Sequence, residues 1–372
     1  MAEPLKAIYH ESFIQSLANR IQEAWPSFDG PAFAAFVLGD GWEELELKAR
    51  TRRIALRLGA ALPEDYGHAL DILEPVSEHY GGLQHLIFPD FVEVYGLNDW
   101  ERSIAALAAF TRRSTSEFAV RPFLLRDQER MLDRMFEWAA SSDEHVRRLA
   151  SEGCRPRLPW AVALPALKRD PEPILPILER LKADPSEYVR RSVANNLNDI
   201  SKDHPERVVA LAEAWIGRDP LTDRALRHGC RGLLRAAHPR AMALFGMAPP
   251  AGVQVETWTV TPDEAAIGDS VRFRYGVRVP RGEAVKLRIE LAAYFVRTTG
   301  RDYRKLFKLS EKVAEGGSLL QGGREFSFAD LSTRRHYPGM HRLALVVNGE
   351  ELASADVRLV APETGGGGER SR

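Results

Sequence analysis

The chain has 372 residues, 44% of them hydrophobic and 28% charged, with a formal net charge of −1. That length calls for two or three domains rather than one core, and the composition is that of a folded, water-soluble protein rather than a disordered one. A charge so near zero excludes coating of nucleic acid by bulk positive charge, while leaving room for a local basic surface.

The N-terminal stretch MAEPLKAIYHESF lacks the apolar core of a signal peptide, and the longest apolar run, Ile104 to Phe110, is too short to span a bilayer. A cytoplasmic protein with no membrane partner is the expectation. From about residue 5 to 247 apolar residues recur at helical spacing, and the breaks carry Asp-Pro, His-Pro and Gly signals, so 1–247 reads as one all-helical domain. GMAPPAG supplies a linker at 248–252. From 253 to 361 the pattern becomes alternating: VQVETWTV, SVRFRYGVRV, AVKLRIELAAYFV, KLFKLSEKV, REFSFADL, HRLALVV and ELASADVRLV predict seven short strands, an immunoglobulin-like β-sandwich without the usual cysteine pair. The tail, 362–372, is polar and glycine-rich and is expected to be flexible. The two cysteines, Cys154 and Cys230, form no zinc or disulfide spacing and read as small packing residues.

The helical part contains a repeat. DEHVRRLASEG at 143–153 aligns with SEYVRRSVANN at 186–196, and a looser copy, RALRHGCRGLL, follows at 224–234. Asp184-Pro185 and Asp219-Pro220 introduce the last two with an expected N-cap and first-turn proline. Two-helix units of this length predict a HEAT-like solenoid, whose stacking buries one face and leaves a long groove. In the first copy Val146, Leu149, Ala150 and Gly153 fall on one helix face, leaving Arg147, Arg148, Ser151 and Glu152 outward; in the second, Val189, Ser192, Val193, Asn196 and Leu197 face inward, leaving Arg190, Arg191, Asn195 and Asp199 on or near the exposed side. Arg155, Arg157, Lys168, Lys202, Arg227 and Arg231 extend this row, as a groove that tracks phosphates would require. A solvated helix face is the plainer alternative.

Two carboxylates break a local rule. Glu152 and Asp199 sit in last helical turns, where an anion costs about 0.3 to 1 kcal/mol. Neither has an adequate structural excuse in the sequence: Arg148 before Glu152 is the weaker order for an i, i+4 pair, and Asp203 with Glu206 already offers a cap for the next helix. Glu117 has one, an S-x-x-E capping box with Ser114. Trp160, alone, reads more readily as a core residue, but flanked by Arg155, Arg157 and Glu152 it equally offers an aromatic face to a base or a cation.

The segments SEFAVRPF, VRRLASEGCRPRLPW and VRRSVANNLNDISKDHP resemble the bacterial alkylpurine DNA glycosylase family AlkC/AlkD, and are nearer to the AlkC forms with a C-terminal immunoglobulin-like domain. The resemblance implies a HEAT-like enzyme that grips double-stranded DNA. Such an enzyme hydrolyses the N-glycosidic bond of cationic methylated bases (3-methyladenine, 3-methylcytosine, 1-methyladenine) without a metal or organic cofactor and without extruding the base. It places Glu117, Glu152 and Asp199 at the lesion and Trp160 near the damaged nucleotide, and the expected roles are Asp199 and Glu152 at sugar and water with Glu117 as supporting charge. The third repeat, with Arg231 where the second has Asn195, is expected to bind phosphate only. Arg334 and Arg335, beside His336, are expected to reach the duplex from the sandwich, or else to form a solvated hairpin loop. A monomer is expected. The competing reading is a non-catalytic HEAT-repeat scaffold that binds protein or DNA.

Overall fold

The computed structural model describes residues 4–247, 251–296, 303–331 and 334–361. The tail and most of the expected linker lie outside them. The chain divides into two compact units, Met1–Gly229 and Cys230–Arg372.

The first unit is helical: α1 Glu11–Ala24, α2 Gly30–Val37, α3 Leu47–Ala61, α4 Tyr66–Ser77, α5 Ile87–Tyr95, α6 Trp100–Phe110, α7 Val120–Arg126, α8 Gln128–Trp138, α9 Glu144–Gly153, α10 Pro165–Arg169, α11 Leu175–Leu181, α12 Glu187–Ile200, α13 Pro205–Trp215 and α14 Pro220–Gly229. Aspartate caps recur at the starts: the carboxylates of Asp29, Asp65, Asp99, Asp127 and Asp143 each accept from a backbone N–H of the first turn, satisfying donors a helix cannot pair internally. The helices form the two layers expected of a HEAT-like array. α9 packs on α12 and α12 on α14, while α8, α11 and α13 back them. The inward rows predicted for α9 and α12 are buried throughout. Leu149 and Leu197 are both fully covered, each contributing about 1.5 to 3 kcal/mol of hydrophobic stabilisation.

Gly153 permits a close approach at the end of α9. A Cβ there would lie 2.7 Å from Val120 Cγ2 and 2.9 Å from Met135 Cε, so only glycine lets the end of α9 sit against α7 and α8.

The second unit opens with α15 Arg231–Arg235 and α16 Pro239–Leu244, helical residues that the sequence pattern had joined to the first domain. They group instead with the sandwich, where Lys286 Nζ donates to the Phe245 carbonyl at 3.0 Å. Eight strands follow: β1 Gln254–Thr261, β2 Glu264–Ala266, β3 Ser270–Arg278, β4 Val285–Phe295, β5 Tyr303–Ala314, β6 Leu319–Ser327, β7 Gly339–Val347 and β8 Glu350–Val360. They make a three-stranded sheet, β1-β3-β6, and a five-stranded sheet, β2-β8-β7-β4-β5, antiparallel except where β2 runs parallel to β8. Seven strands match the alternating segments. β2 is three residues long, too short to show a period. Val271, Phe273, Val277, Leu291, Leu343 and Leu345 are among the side chains that fill the space between the sheets. The Asn348-Gly349 turn joins β7 to β8 with both residues at positive φ, 47° and 89°, the geometry of a type I′ hairpin. No helix among the described residues is long and apolar enough to cross a membrane.

Candidate active site

The three acids come together. Glu117 lies in the turn before α7, Glu152 is the penultimate residue of α9, and Asp199 is the penultimate residue of α12. Arginines join them in alternation. Arg148 Nη1 binds Glu117 Oε2, and its Nη2 lies 3.4 Å from Glu152 Oε1. Arg155 Nη1 lies 2.5 Å from the same Glu152 oxygen, while its Nε and Nη2 are both 2.9 Å from Asp199 Oδ2. Lys202 closes the row at 3.0 Å from Asp199 Oδ1. Glu152 and Asp199 are only 4% and 2% exposed, which reverses the expectation that they face solvent.

Burial opposes the charge on Arg148 and Arg155, but the facing carboxylates outweigh it and hold both guanidinium groups above their ordinary value. Both guanidinium groups reach Glu152 through Oε1, and Arg148 and Thr115 reach Glu117 through Oε2. Among the described residues no donor bonds Glu152 Oε2 or Glu117 Oε1. The Arg148, Arg155 and Thr115 donors thus reach one oxygen of each glutamate.

Glu117 owes its place to none of the capping expected of it. α7 starts at Val120 with no side-chain cap, and the Glu117 carboxylate instead accepts from Thr115 Oγ1 at 2.9 Å and from Arg148. Asp203 likewise caps nothing: α13 has no side-chain cap, and Asp203 takes Arg157 in a bidentate pair at 2.6 and 3.0 Å. The expected Asp184 cap of α12 is also absent. Asp184 accepts the Ser186 N–H and pairs with Arg147. Asp219, by contrast, accepts from Leu221 and Thr222 N–H as predicted.

The expected phosphate row is divided by the structure. Arg155 is buried between two carboxylates, and Arg190 is buried with Nη1 on the Asp184 and Pro185 carbonyls at 2.6 and 2.9 Å, so neither has a guanidinium turned to solvent. Both therefore leave the expected phosphate row: Arg155 spends Nε, Nη1 and Nη2 on Asp199 and Glu152, and Arg190 is buried with Nη1 on two carbonyls. Arg191 is exposed beside Glu187, Lys202 is half exposed, and Arg157 is partly exposed on Asp203. Lys168 and Arg227 are partly buried, and Asn195 Oδ1 meets His228 Nε2 at 3.3 Å. Arg231, Arg334 and Arg335 belong to the second unit. There the Arg334 guanidinium lies 4.8 Å from the Phe295 ring centre and burial lowers its pKa, while Arg335 is exposed.

Several supporting partnerships across the fold were not evident from the sequence. Arg121 is completely buried and donates to the carbonyls of Val162, Gly153 and Arg155 at 2.6, 3.0 and 2.9 Å. It thus places a cation at the carbonyl end of α9, though burial pulls its pKa down to about 10. The Arg148 guanidinium lies over the Tyr188 ring at 5.1 Å. Asn196 donates to the Ser151 carbonyl at 2.9 Å and Ser151 Oγ meets Ser192 Oγ at 2.7 Å, stitching α9 to α12. That contact explains an asparagine in mid-helix. Trp160, for which a core position had been the plainer reading, is 63% exposed. Both cysteines are buried and free, and burial pushes the Cys154 thiol up to about 12.

Every member of the alternating network falls within residues 113–233, which match the family described as DNA alkylation repair enzyme. The class is therefore a helical-repeat enzyme of DNA repair. Residues 254–361 match the C-terminal Ig-like domain of the uncharacterised protein YhaZ. The Bacillus subtilis YhaZ protein is 45% identical over 355 residues, covering 95% of this chain and 99% of that one. The Pseudomonas fluorescens alkylpurine DNA glycosylase AlkC, solved bound to DNA containing an abasic site analogue, is 39% identical with a TM-score of 0.92, covering 96% of this chain and all of that one. The chain belongs to the DNA alkylation repair enzyme family, in the branch that ends in an Ig-like domain.

Proposed function

We propose that this enzyme is a DNA glycosylase that releases cationic N-methylated bases, 3-methyladenine, 3-methylcytosine and 1-methyladenine, from double-stranded DNA without extruding the base, acting as a cytoplasmic monomer. The observation that carries the reading is the run Glu117, Arg148, Glu152, Arg155, Asp199, three acids held among guanidinium groups. Similarity to a glycosylase bound to DNA with an abasic site analogue supports the choice of substrate.

The chemistry fits these groups. A methylated base already carries positive charge, so when the C1′–N bond breaks its electron pair neutralises the ring and no general acid is needed. Positive charge then develops on the deoxyribose. Carboxylates held in place beforehand stabilise it, and one of them takes the proton of the water that attacks C1′. Glu152 and Asp199 take the sugar and the water, with Glu117 as supporting charge. Arginine and lysine at the edge of the site hold flanking phosphates and fix the sugar. The residues of the chain suffice for this scheme.

The test is to incubate the full chain with methylated duplex DNA and identify released bases by mass spectrometry. Release of methylated bases is expected, with losses on the order of 10²- to 10³-fold for Glu152→Ala and Asp199→Ala, the scale of removing a transition-state stabiliser. Unchanged excision by both variants would remove the assignment. Absence of release, together with binding indifferent to salt, would favour a scaffold.

A further inference from the structure

Trp160 poses a problem that the reaction scheme leaves open. Its φ is 62°, in the left-handed region that side chains with a Cβ rarely adopt. Such a backbone persists only where the surroundings hold it. Packing of the indole does not, because it is 63% exposed. Buried Leu158 and Leu164 anchor the segment on either side, and at Trp160 and Val162 themselves the contacts are polar. Arg121 takes the Val162 carbonyl from below, and Lys48 Nζ donates to the carbonyl of Trp160 itself at 2.6 Å.

Lys48 is the second residue of α3, 112 positions away in sequence, and its ammonium also lies 4.4 Å from the centre of the Phe118 ring. Phe118 directly follows Glu117. One side chain thus spans from the turn that carries Glu117 to the backbone of the exposed tryptophan. Lys48, Thr115, Phe118 and Trp160 line the same small cavity. Lys48 also faces Asp90, whose carboxyl burial raises to about 6 and which Arg52 already pairs at 2.8 Å.

We propose that Lys48 is a positioning residue for base release, which ties Trp160 to the Glu117 turn and so fixes the indole relative to the acids. It rests on the glycosylase reading for its consequence, though not for the tether itself. In its simplest alternative Lys48 would be one more phosphate contact, since its side chain is on the surface.

Lys48→Met keeps the apolar stem beside Phe118 and removes the donor; Lys48→Arg restores one. In full-length Lys48→Met, hydrogen exchange is expected to accelerate at the Ala161 and Leu164 amides, which bond the Leu158 and Pro156 carbonyls, with thermal unfolding unchanged. Base release from methylated duplex should fall about tenfold, within the range that misplacement by an ångström produces, and Lys48→Arg should recover most of it. The deciding arm is a cycle with Trp160→Ala. If Lys48 acts through the indole, Lys48→Met costs nothing further in that background. Additive losses would overturn the proposal, as would unaltered exchange, or a duplex-affinity salt slope reduced by about 0.9, the mark of one lost phosphate contact. Should the wild type release no base at all, the glycosylase reading falls, while exchange at the two amides still decides the tether.

Discussion

α9 and α12 both start with glutamate, carry Val-Arg-Arg at their third to fifth residues and end with an acid in the penultimate position, although α9 has 10 residues and α12 has 14. Their arginines nevertheless do four different things. Arg147 pairs with the Asp184 carboxylate and Arg190 takes the Asp184 and Pro185 carbonyls, so one arginine from each helix secures the same turn between repeats. Arg148 reaches inward to Glu117 and Glu152, whereas Arg191 stays in solvent beside Glu187. The acids differ as well. Glu152 is held by two arginines from its own repeat, but Asp199 depends on Arg155, which crosses from the α9 repeat, and on its own Lys202. The repeat fixes the Val-Arg-Arg register, while the acids share only the penultimate place in helices of different length, Glu152 six residues after Val146 and Asp199 ten after Val189. What each cation does is set by what the neighbouring repeat offers it.

If the two helix ends form one device, Arg155 is where it breaks. Arg155→Ala strands Glu152 and Asp199 side by side with a missing cation, and removing one member of a buried ion pair typically costs about 3 to 5 kcal/mol. Denaturant unfolding should show a loss of that size, the largest expected for any single change in the row. Base release should fall with it. The same view makes the acids cooperative: Glu152→Ala/Asp199→Ala should lose scarcely more activity than the worse single variant. Losses that multiply would mean that each helix end acts alone.

Gly153 sharpens the contrast between the repeats. Its methyl counterpart would meet Val120 Cγ2 at 2.7 Å, whereas at Gly229, the glycine that brings α14 to α12, the nearest atom is Leu197 Cβ at 3.1 Å. Gly153→Ala is therefore expected to cost about 1 to 3 kcal/mol by overpacking, and to slow base release because it shifts Glu152 and Arg155 together. Gly229→Ala should be milder on both counts. Thermal unfolding and single-turnover release of the two variants, measured in parallel, check this.

The features legible in the sequence were those with a period or a violated local rule. Helical spacing exposed the inward rows of α9 and α12, alternation exposed seven strands, and the misplaced anions exposed Glu152 and Asp199. Partnerships across the fold were not legible. Ser114 and Glu117 match a capping box, yet the chain turns before it can form, and Thr115 takes the carboxylate instead. Asp203 matches a cap, but a bidentate arginine is the stronger partner. Arg121 stands in SEFAVRPF with nothing to mark it, because its value lies in three carbonyls more than 30 residues away in sequence. Lys48 is similar. Arg155 and Arg190 leave the basic stripe for the same reason: position on a helix face tells where a guanidinium starts, and a long flexible side chain can end on a carbonyl or a carboxylate inside the fold.

The smallest expected effect is also the cleanest test of that last point. Arg190 and Arg191 are neighbours with opposite surroundings, one buried on carbonyls and one 65% exposed in an i, i+4 pair. Exposed pairs of this kind contribute about 0.3 to 0.5 kcal/mol, so Arg191→Ala should leave unfolding almost unchanged. If it meets DNA phosphate, the slope of log affinity for duplex against log salt should shrink by about 0.9. Arg190→Ala should do the reverse, lowering stability by leaving the Asp184 and Pro185 carbonyls without their donor and leaving the salt slope alone. Should both variants change the slope equally, the buried guanidinium must leave its carbonyls when DNA binds, and the division of the doubled arginines into turn-holding and outward members would have to be abandoned.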